Sequence, residues 1–319
     1  MLIARVLRGA NALLGGGGMG RRSVHRIATL EGMEQLRDSF RREGRNVHFV
    51  PTMGALHDGH ASLIDAAKRE AGDDGIVISS IFVNPAQFAP HEDIDVYPRT
   101  VESDVKKMAA RGVDYVFLPT RDQLYPTVSG DAVGRNMDVV KVVPPGVDDL
   151  PHEGSARPGF FEGVSTVVAK LMNVVGPTHM YLGQKDGLQC IVVRRMISDL
   201  NFPVDLRICP TVREEDGLAM SSRNVYLGEE ARKAAPDLYA ALTTVAKSFQ
   251  SGERSYGELT RLGRELLEKQ PMFEVEYFSV SCGNSGKELD DGAPLPGERV
   301  MISAAVRFEN CRILDNVLL

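Results

Sequence analysis

Strand patterns and helix patterns alternate along the chain from residue 30 to residue 208, and this order is the strongest constraint on its fold. Short apolar runs are each followed by a longer amphipathic segment with helical spacing. This βαβ order predicts an α/β fold with a doubly wound, Rossmann-like parallel sheet, and it places ligands at the carboxyl ends of the strands. The predicted helices cover residues 30–43, 61–71, 101–111, 163–175 and 188–200, and the predicted strands cover residues 47–50, 76–83, 115–118, 180–182 and 204–208.

The pattern changes after about residue 212. Two long helical segments, 229–250 and 256–269, precede strand patterns at 275–281 and 300–306. We therefore predict a Rossmann-like domain at residues 24–211 and a smaller α+β domain at residues 212–319.

The first 23 residues are rich in arginine and contain no acidic residue, since Glu31 is the first acid of the chain. Such a composition is typical of a mitochondrial or plastid presequence, although a disordered extension on a cytoplasmic protein fits equally well. The apolar stretches are too short and too interrupted by arginine to span a membrane. We predict a flexible leader at residues 1–23 and no membrane association.

Charge and cysteine spacing argue against a nucleic-acid-binding protein and against a zinc site. The formal net charge of −6 argues against a nucleic-acid-binding surface, which is usually basic. The 4 cysteines are far apart and lack the spacing of a zinc site, which indicates a reducing compartment.

The segment 51–60 joins the strand at 47–50 to the helix at 61–71 and contains the pattern His57-x-Gly-His60. Free N–H groups and the helix dipole attract phosphate at such a helix N-terminus. Gly54 allows close approach of the backbone, and the two histidines can donate hydrogen bonds to a triphosphate. The segment predicts an ATP site; the alternative is a turn with two surface histidines.

Three further polar segments each suggest contacts with small anionic ligands. Asn84 and Gln87 follow a strand and have amides suited to a hydroxyl or carboxylate, although a strand followed by Asn-Pro is by itself more often a simple turn. Lys185 and Asp186 lie between a strand and a helix, where they suit phosphate and ribose, and their alternative is an ordinary helix cap. The segment 217–224 contains two serines and an arginine, a donor cluster suited to phosphates or to departing pyrophosphate.

Together these segments resemble the pantothenate synthetase (pantoate-β-alanine ligase) family of the His-x-Gly-His nucleotidyl-transferase superfamily. The resemblance runs from about residue 30 to the C-terminus. It rests on residues 51–60, 82–88, 97–100, 157–159, 163–168, 183–189 and 220–224. It implies a ligase, usually a homodimer, that uses ATP and Mg²⁺ to join pantoate and β-alanine through a pantoyl adenylate, releasing pyrophosphate and then AMP.

The resemblance also assigns roles to individual residues. It implies His60, His57, Lys185 and Arg223 as catalytic residues, and Gln87, Gln189 and Asn84 as ligands of pantoate or β-alanine. Asp104 is the candidate Mg²⁺ ligand. The implied ATP-binding residues are Met53, Gly54, His57, His60, Gly183, Gln184, Lys185, Asp186, Val212, Met220, Ser221, Ser222 and Arg223.

The chain departs from the family pattern at two places. The family usually has histidine where this chain has Phe160, and an aromatic residue followed by glutamine where it has Gly187 and Leu188. We expect Gly187 to loosen the start of its helix by up to about 1 kcal/mol relative to alanine. Two alternatives remain: a superfamily nucleotidyl transferase with another acceptor, and a degenerate protein that binds nucleotide without turnover.

Overall fold

Nine strands lie in the part of the chain that the computed structural model describes, namely residues 24–89, 94–126, 139–291, 299–308 and 311–319. They form one six-stranded parallel sheet and one three-stranded antiparallel sheet. The predicted α/β fold class is therefore confirmed. The strands are β1 (His25–Ile27), β2 (Val47–Thr52), β3 (Ile76–Ile81), β4 (Tyr115–Phe117), β5 (His179–Gly183), β6 (Asp205–Cys209), β7 (Glu274–Cys282), β8 (Val300–Arg307) and β9 (Arg312–Leu318).

Helices cover both faces of the parallel sheet, and others pack against the antiparallel sheet. Short 3-10 helices also occur at Pro85–Gln87 and Ser222–Tyr226. The α-helices are α1 (Leu30–Arg42), α2 (Asp58–Ala71), α3 (Val101–Ala110), α4 (Arg121–Leu124), α5 (Glu153–Ala156), α6 (Phe160–Val175), α7 (Gly187–Asp199), α8 (Glu229–Ala234), α9 (Asp237–Gln250) and α10 (Tyr256–Glu268).

Three hydrophobic clusters account for most of the core. One lies between the parallel sheet and helices α1, α6 and α7, and a second lies between the opposite face and helices α2 and α3. The third joins α9 and α10 to the antiparallel sheet. The two domains and their boundary at residue 212 stay predictions.

The order of the parallel sheet is β1-β4-β3-β2-β5-β6. Strand β3 lies on one side of β2, and β5 lies on the other side. The chain therefore runs from β2 to β3 in one direction across the sheet and from β5 to β6 in the opposite direction. The loops that follow β2 and β5 therefore diverge, and a crevice at such a switch point is where open α/β sheets bind ligands.

Several predicted boundaries were wrong. The helix predicted at 229–250 is two helices, α8 and α9, because Pro236 lies between them and lacks the N–H that a continuous helix needs. Helix α2 begins at Asp58 and α6 at Phe160, each three residues earlier than predicted. Strands β1 and β9 were missed.

The predicted leader lies outside the described residues, and the cytoplasmic or organellar location stays a prediction with it. Among the described residues, none of the helices has both the length and the apolar character needed to cross a bilayer.

Gly163 in α6 touches the 3-10 helix Pro85–Gln87, since an added Cβ would lie 2.4 Å from the carbonyl oxygen of Ala86. We expect Gly163→Ala to lower the free energy of unfolding by about 1–3 kcal/mol, because backbone atoms would have to move. Gly228→Ala is the control, since its Cβ meets nothing within 4 Å. Denaturant titration measures both variants, and equal stability of the two would contradict the expectation.

Candidate active site

The loop after β2 brings two histidines to the N-terminus of α2. Gly54 and Ala55 have positive φ angles of 85° and 50°, which turn the chain sharply before the helix. His57 is the N-cap residue, and its Nδ1 accepts a hydrogen bond from the Gly59 N–H at 3.1 Å. The Nδ1 of His60 accepts the His57 N–H at 3.4 Å. His57 and His60 thus form a capping box, and the centroids of their rings are 4.1 Å apart.

These hydrogen bonds fix the tautomer of both rings. A nitrogen that accepts a hydrogen bond carries no proton, so each neutral imidazole has its proton on Nε2. Burial lowers the pKa of His57 to about 4, with a further contribution from the charge of Lys185. Burial, together with His57, lowers the pKa of His60 to about 3. Both rings are therefore neutral hydrogen-bond donors at pH 7.

Asp104, the predicted Mg²⁺ ligand, is engaged by the protein, and its metal role stays a prediction that these contacts do not support. Its side chain is fully buried, and its oxygens accept hydrogen bonds from the N–H groups of Ala55 and Leu56, both at 2.9 Å, and from the hydroxyl of Thr100 at 3.0 Å. The carboxylate holds the turn that leads to His57.

The 3-10 helix Ser222–Tyr226 contacts the same turn. The hydroxyl of Ser222 donates to the Ala55 carbonyl oxygen at 3.1 Å, which places the serine segment beside the histidine segment. The hydroxyl of Ser221 caps the 3-10 helix by accepting the Arg223 N–H at 3.2 Å. The guanidinium of Arg223 lies 5.7 Å from the ring centroid of Tyr97.

Lys185 lies in the turn between β5 and α7. Its ammonium is 3.3 Å from the carboxylate of Asp186, whose side chain is nearly half exposed. Both residues line a cavity that also contains His57 and His60. The lysine charge therefore faces the same space as the two neutral rings.

Asn84 is buried, and its hydrogen-bonding groups are occupied by the protein. Its Nδ2 donates to the Gln87 side chain at 2.9 Å and to the Gly163 carbonyl oxygen at 3.1 Å. Its Oδ1 accepts from the Tyr125 hydroxyl at 2.9 Å and the Ala86 N–H at 3.3 Å. Its amide thus orients the side chain of Gln87, and direct binding of pantoate or β-alanine by Asn84 stays a prediction.

Two adjoining cavities bring the predicted residues together. The smaller, about 230 Å³, lies at the switch point, and the larger, about 670 Å³, extends toward the antiparallel sheet. Gly54, Gln184 and Asp104 line neither cavity. The predicted residues that line one or both are Met53, His57, His60, Asn84, Gln87, Gly183, Lys185, Asp186, Gln189, Val212, Met220, Ser221, Ser222 and Arg223.

Arg157 is a cavity residue that the candidate assignments left out. Its Nη2 donates to the Gln87 carbonyl oxygen at 3.1 Å, and its guanidinium stacks on Phe160 at 3.7 Å. The sequence signal that could have identified Arg157 is its place in the segment Arg157-Pro-Gly, which is part of the family resemblance. Phe160, where the family usually has histidine, thus packs against the Arg157 guanidinium at the wall of the larger cavity.

Among the described residues, no group of three or more His, Cys, Asp or Glu side chains could hold a metal ion. The hydrogen-bond donors around the cavities are neutral imidazole, ammonium, guanidinium and hydroxyl groups, and the carboxylate of Asp186 lies beside them. Such a set suits a polyphosphate that carries its own cation.

Comparison with known proteins shows the family of the chain. The sequence model described as pantoate-beta-alanine ligase matches residues 25–318. A pantothenate synthetase of Chloroflexus aggregans is 48% identical over 271 residues, covering 85% of this chain and 92% of the relative. One of Geobacillus kaustophilus is 45% identical over 287 residues, covering 90% of each.

Solved structures give the same result. The chain is similar to pantothenate synthetase from Thermus thermophilus, with a TM-score of 0.80, 41% identity, and coverage of 92% of this chain and 99% of that one. It is also similar to pantoate-beta-alanine ligase from Francisella tularensis complexed with β-γ ATP and β-alanine, with a TM-score of 0.71, 28% identity, and coverage of 92% and 97%.

The fold and the cavity define an enzyme of the Rossmann-like α/β class with a histidine-capped helix N-terminus at its switch point. Within that class, the chain belongs to the pantoate-β-alanine ligase family, whose curated members are named pantothenate synthetase.

Replacing Asp104 tests its place in the turn. Asp104→Asn would leave a buried backbone N–H without its acceptor, so we expect the free energy of unfolding to fall by about 1–3 kcal/mol. Glu102→Gln is the control on the same helix, since the ion pair of Glu102 with Arg26 is exposed to solvent and contributes little to stability. Denaturant titration gives both values. Unchanged stability with a raised Mg²⁺ requirement in Asp104→Asn would support the metal assignment.

The tautomers and pKa values of the two histidines are also testable. We expect ¹⁵N NMR at pH 7 to show His57 and His60 neutral, with the proton on Nε2. Their pKa values lie below the ordinary 6.5, so the unfolded chain binds protons first as the pH falls. Stability should therefore fall as the pH decreases from 6.5 to about 3, and it should fall less in the His57→Gln control. An imidazolium signal from either ring at pH 7 would contradict the assignment.

Proposed function

We propose that this chain ligates (R)-pantoate and β-alanine to pantothenate, with ATP as co-substrate and pantoyl adenylate as intermediate. The observation that carries the proposal is the convergence of His57, His60, Lys185 and Arg223 on adjoining cavities at the switch point. The Francisella relative, complexed with β-γ ATP and β-alanine, supports the choice of substrates.

In the first step, a carboxylate oxygen of pantoate attacks the α-phosphorus of ATP, and the bond to the bridging oxygen of pyrophosphate breaks. Negative charge grows on the phosphate oxygens as this happens. Donors already in place stabilise such charge without reorganising. The Nε2–H groups of His57 and His60 can donate to it, while Lys185 and Arg223 supply positive charge.

In the second step, the amine of β-alanine attacks the acyl carbon of the adenylate. The C–O bond to AMP breaks, and the amine loses a proton as the amide forms. Because AMP is a good leaving group, the enzyme needs to position two small molecules more than it needs a protein nucleophile. Gln87 and Gln189 would hold pantoate beside the α-phosphate, and Arg157 would meet a carboxylate in the larger cavity.

Mg²⁺ would enter with ATP and neutralise part of the triphosphate charge. It keeps several waters in most nucleotide sites, so phosphate oxygens would supply the remaining ligands. Asp186 is the half-exposed carboxylate at the cavity that could meet one of those waters or a ribose hydroxyl. A homodimer, implied by the family resemblance, is a separate proposal that light scattering tests.

The proposal is tested by product analysis with the full chain, ATP, Mg²⁺ and pantoate, with and without β-alanine. We expect pantoate-dependent pyrophosphate, and AMP with pantothenate only once β-alanine is present. A stable dinucleotide product would instead support a nucleotidyl transferase with another acceptor. ATP binding without any pyrophosphate would indicate a degenerate nucleotide-binding protein.

Removing the lysine tests the charge assignment. Lys185→Ala should lower kcat by about 100-fold, a loss of about 3 kcal/mol, if the ammonium acts chiefly in the transition state. Lys106→Ala is the control, since Lys106 lies exposed on α3 away from both cavities. Steady-state kinetics measures both variants. Equal turnover of Lys185→Ala and wild type would remove Lys185 from the mechanism.

A further inference from the structure

The C-terminal strand β9 reaches the loop that carries Lys185. Asn316 of β9 is 4% exposed and pairs with Ser303 of β8. Its Nδ2 donates to the carbonyl oxygens of Gln184 at 2.9 Å and of Lys185 at 2.8 Å. Its Oδ1 accepts from the side-chain amide of Gln184 at 2.8 Å. One side chain of the antiparallel sheet thus makes three hydrogen bonds to the turn after β5.

Two of these hydrogen bonds have a particular geometric consequence. The Gln184 and Lys185 carbonyl groups belong to the two peptide planes on either side of the Lys185 Cα atom. Since peptide planes are rigid, holding both of them fixes φ and ψ of Lys185. The direction of the lysine Cβ, and with it the space that the ammonium reaches, is thereby set by Asn316.

The preceding residue of β9 anchors the strand on a second loop. Asp315 is 2% exposed and forms an ion pair with Arg213, which follows β6, with Nη1 to Oδ2 at 2.5 Å and Nη2 to Oδ1 at 3.1 Å. Successive side chains of a strand point to opposite faces, so Asp315 and Asn316 reach different loops. The strand is therefore held in place independently of the contact to Lys185.

Gly187 provides the room for this contact. A Cβ added at Gly187 would lie 2.7 Å from the Sδ of Met301 and 3.0 Å from the Nδ2 of Asn316. Gly187 is expected to loosen the start of α7, but its main effect is to leave space for Met301 and Asn316. The missing side chain allows the antiparallel sheet to pack against the first turn of α7.

We propose that Asn316 is a positioning residue that holds Lys185 in its ATP-binding orientation, and that Gly187 is needed for this contact. The proposal rests on the proposed function, in which Lys185 meets the triphosphate. It assigns to the C-terminal sheet a direct part in preparing the nucleotide site, in addition to its place in the fold.

The test is a double-mutant cycle on ATP affinity, measured by calorimetry with the full chain, ATP and Mg²⁺ in the absence of pantoate. Asn316→Leu keeps a side chain of similar size but removes the three hydrogen bonds. We expect it to raise the Kd of ATP by about tenfold in the chain with Lys185, and by less than about twofold in the Lys185→Ala background. A general structural defect would weaken binding equally in both backgrounds.

Ile302→Val is the matched control, because Ile302 is buried in the neighbouring strand β8 and contacts the core of the antiparallel sheet. It should lower stability without changing the Kd of ATP. If Asn316→Leu does not fold, Gly187→Ala decides the question in the same two backgrounds, since its methyl group would lie 3.0 Å from the Nδ2 of Asn316 and press against that amide.

The possible outcomes separate the two proposals. An unchanged Kd in Asn316→Leu, or an equal loss in both lysine backgrounds, would overturn the positioning role while leaving the proposed function intact. A wild-type chain that binds no ATP would overturn the proposed function and the positioning role with it.

Discussion

The parallel pairing of the central strands is the constraint on which the rest of the structure depends. β2 ends at Thr52 opposite Ile81 of β3, and β5 ends at Gly183 opposite Cys209 of β6. Because parallel strands run in one direction, the loops after all four strands begin at one edge of the sheet. Histidines, amides, a lysine and the serine-arginine segment that are far apart in sequence are thereby brought to the same crevice.

Within that crevice, hydrogen bonds to the backbone determine what each polar side chain can do. The rings of His57 and His60 use Nδ1 to cap α2, so only Nε2–H remains for a ligand. Asp104 and Asn84 use their oxygens and amides to hold neighbouring loops. Positive charge is therefore supplied by Lys185, Arg223 and Arg157, in a chain whose net charge is −6. A site of this kind attracts polyphosphate and carboxylate locally while the protein as a whole remains acidic.

The fold could be predicted from the sequence, and so could the placement of most candidate residues around the two cavities, because apolar periodicity and short polar segments after strands are local signals. Long-range partners could not. Asp104 has the same local sequence signature as any acidic residue in a first helical turn, and only the tertiary structure shows the turn at Ala55 and Leu56 that it holds. Strand β9 was missed because Asp315 and Asn316 interrupt its apolar pattern, and these two residues are polar because they bind loops that follow β5 and β6. The break at Pro236, in contrast, was a local signal that the helix prediction overlooked.

The central claim is that pantoate is activated by forming a bond from its own carboxylate oxygen to the α-phosphorus of ATP. Pantoate labelled with ¹⁸O in both carboxylate oxygens tests this most directly, with the released AMP analysed by mass spectrometry. We expect one ¹⁸O atom in each AMP molecule and one in the amide carbonyl of pantothenate, since the bridging oxygen leaves with AMP. AMP without label, or label in inorganic phosphate, would contradict it.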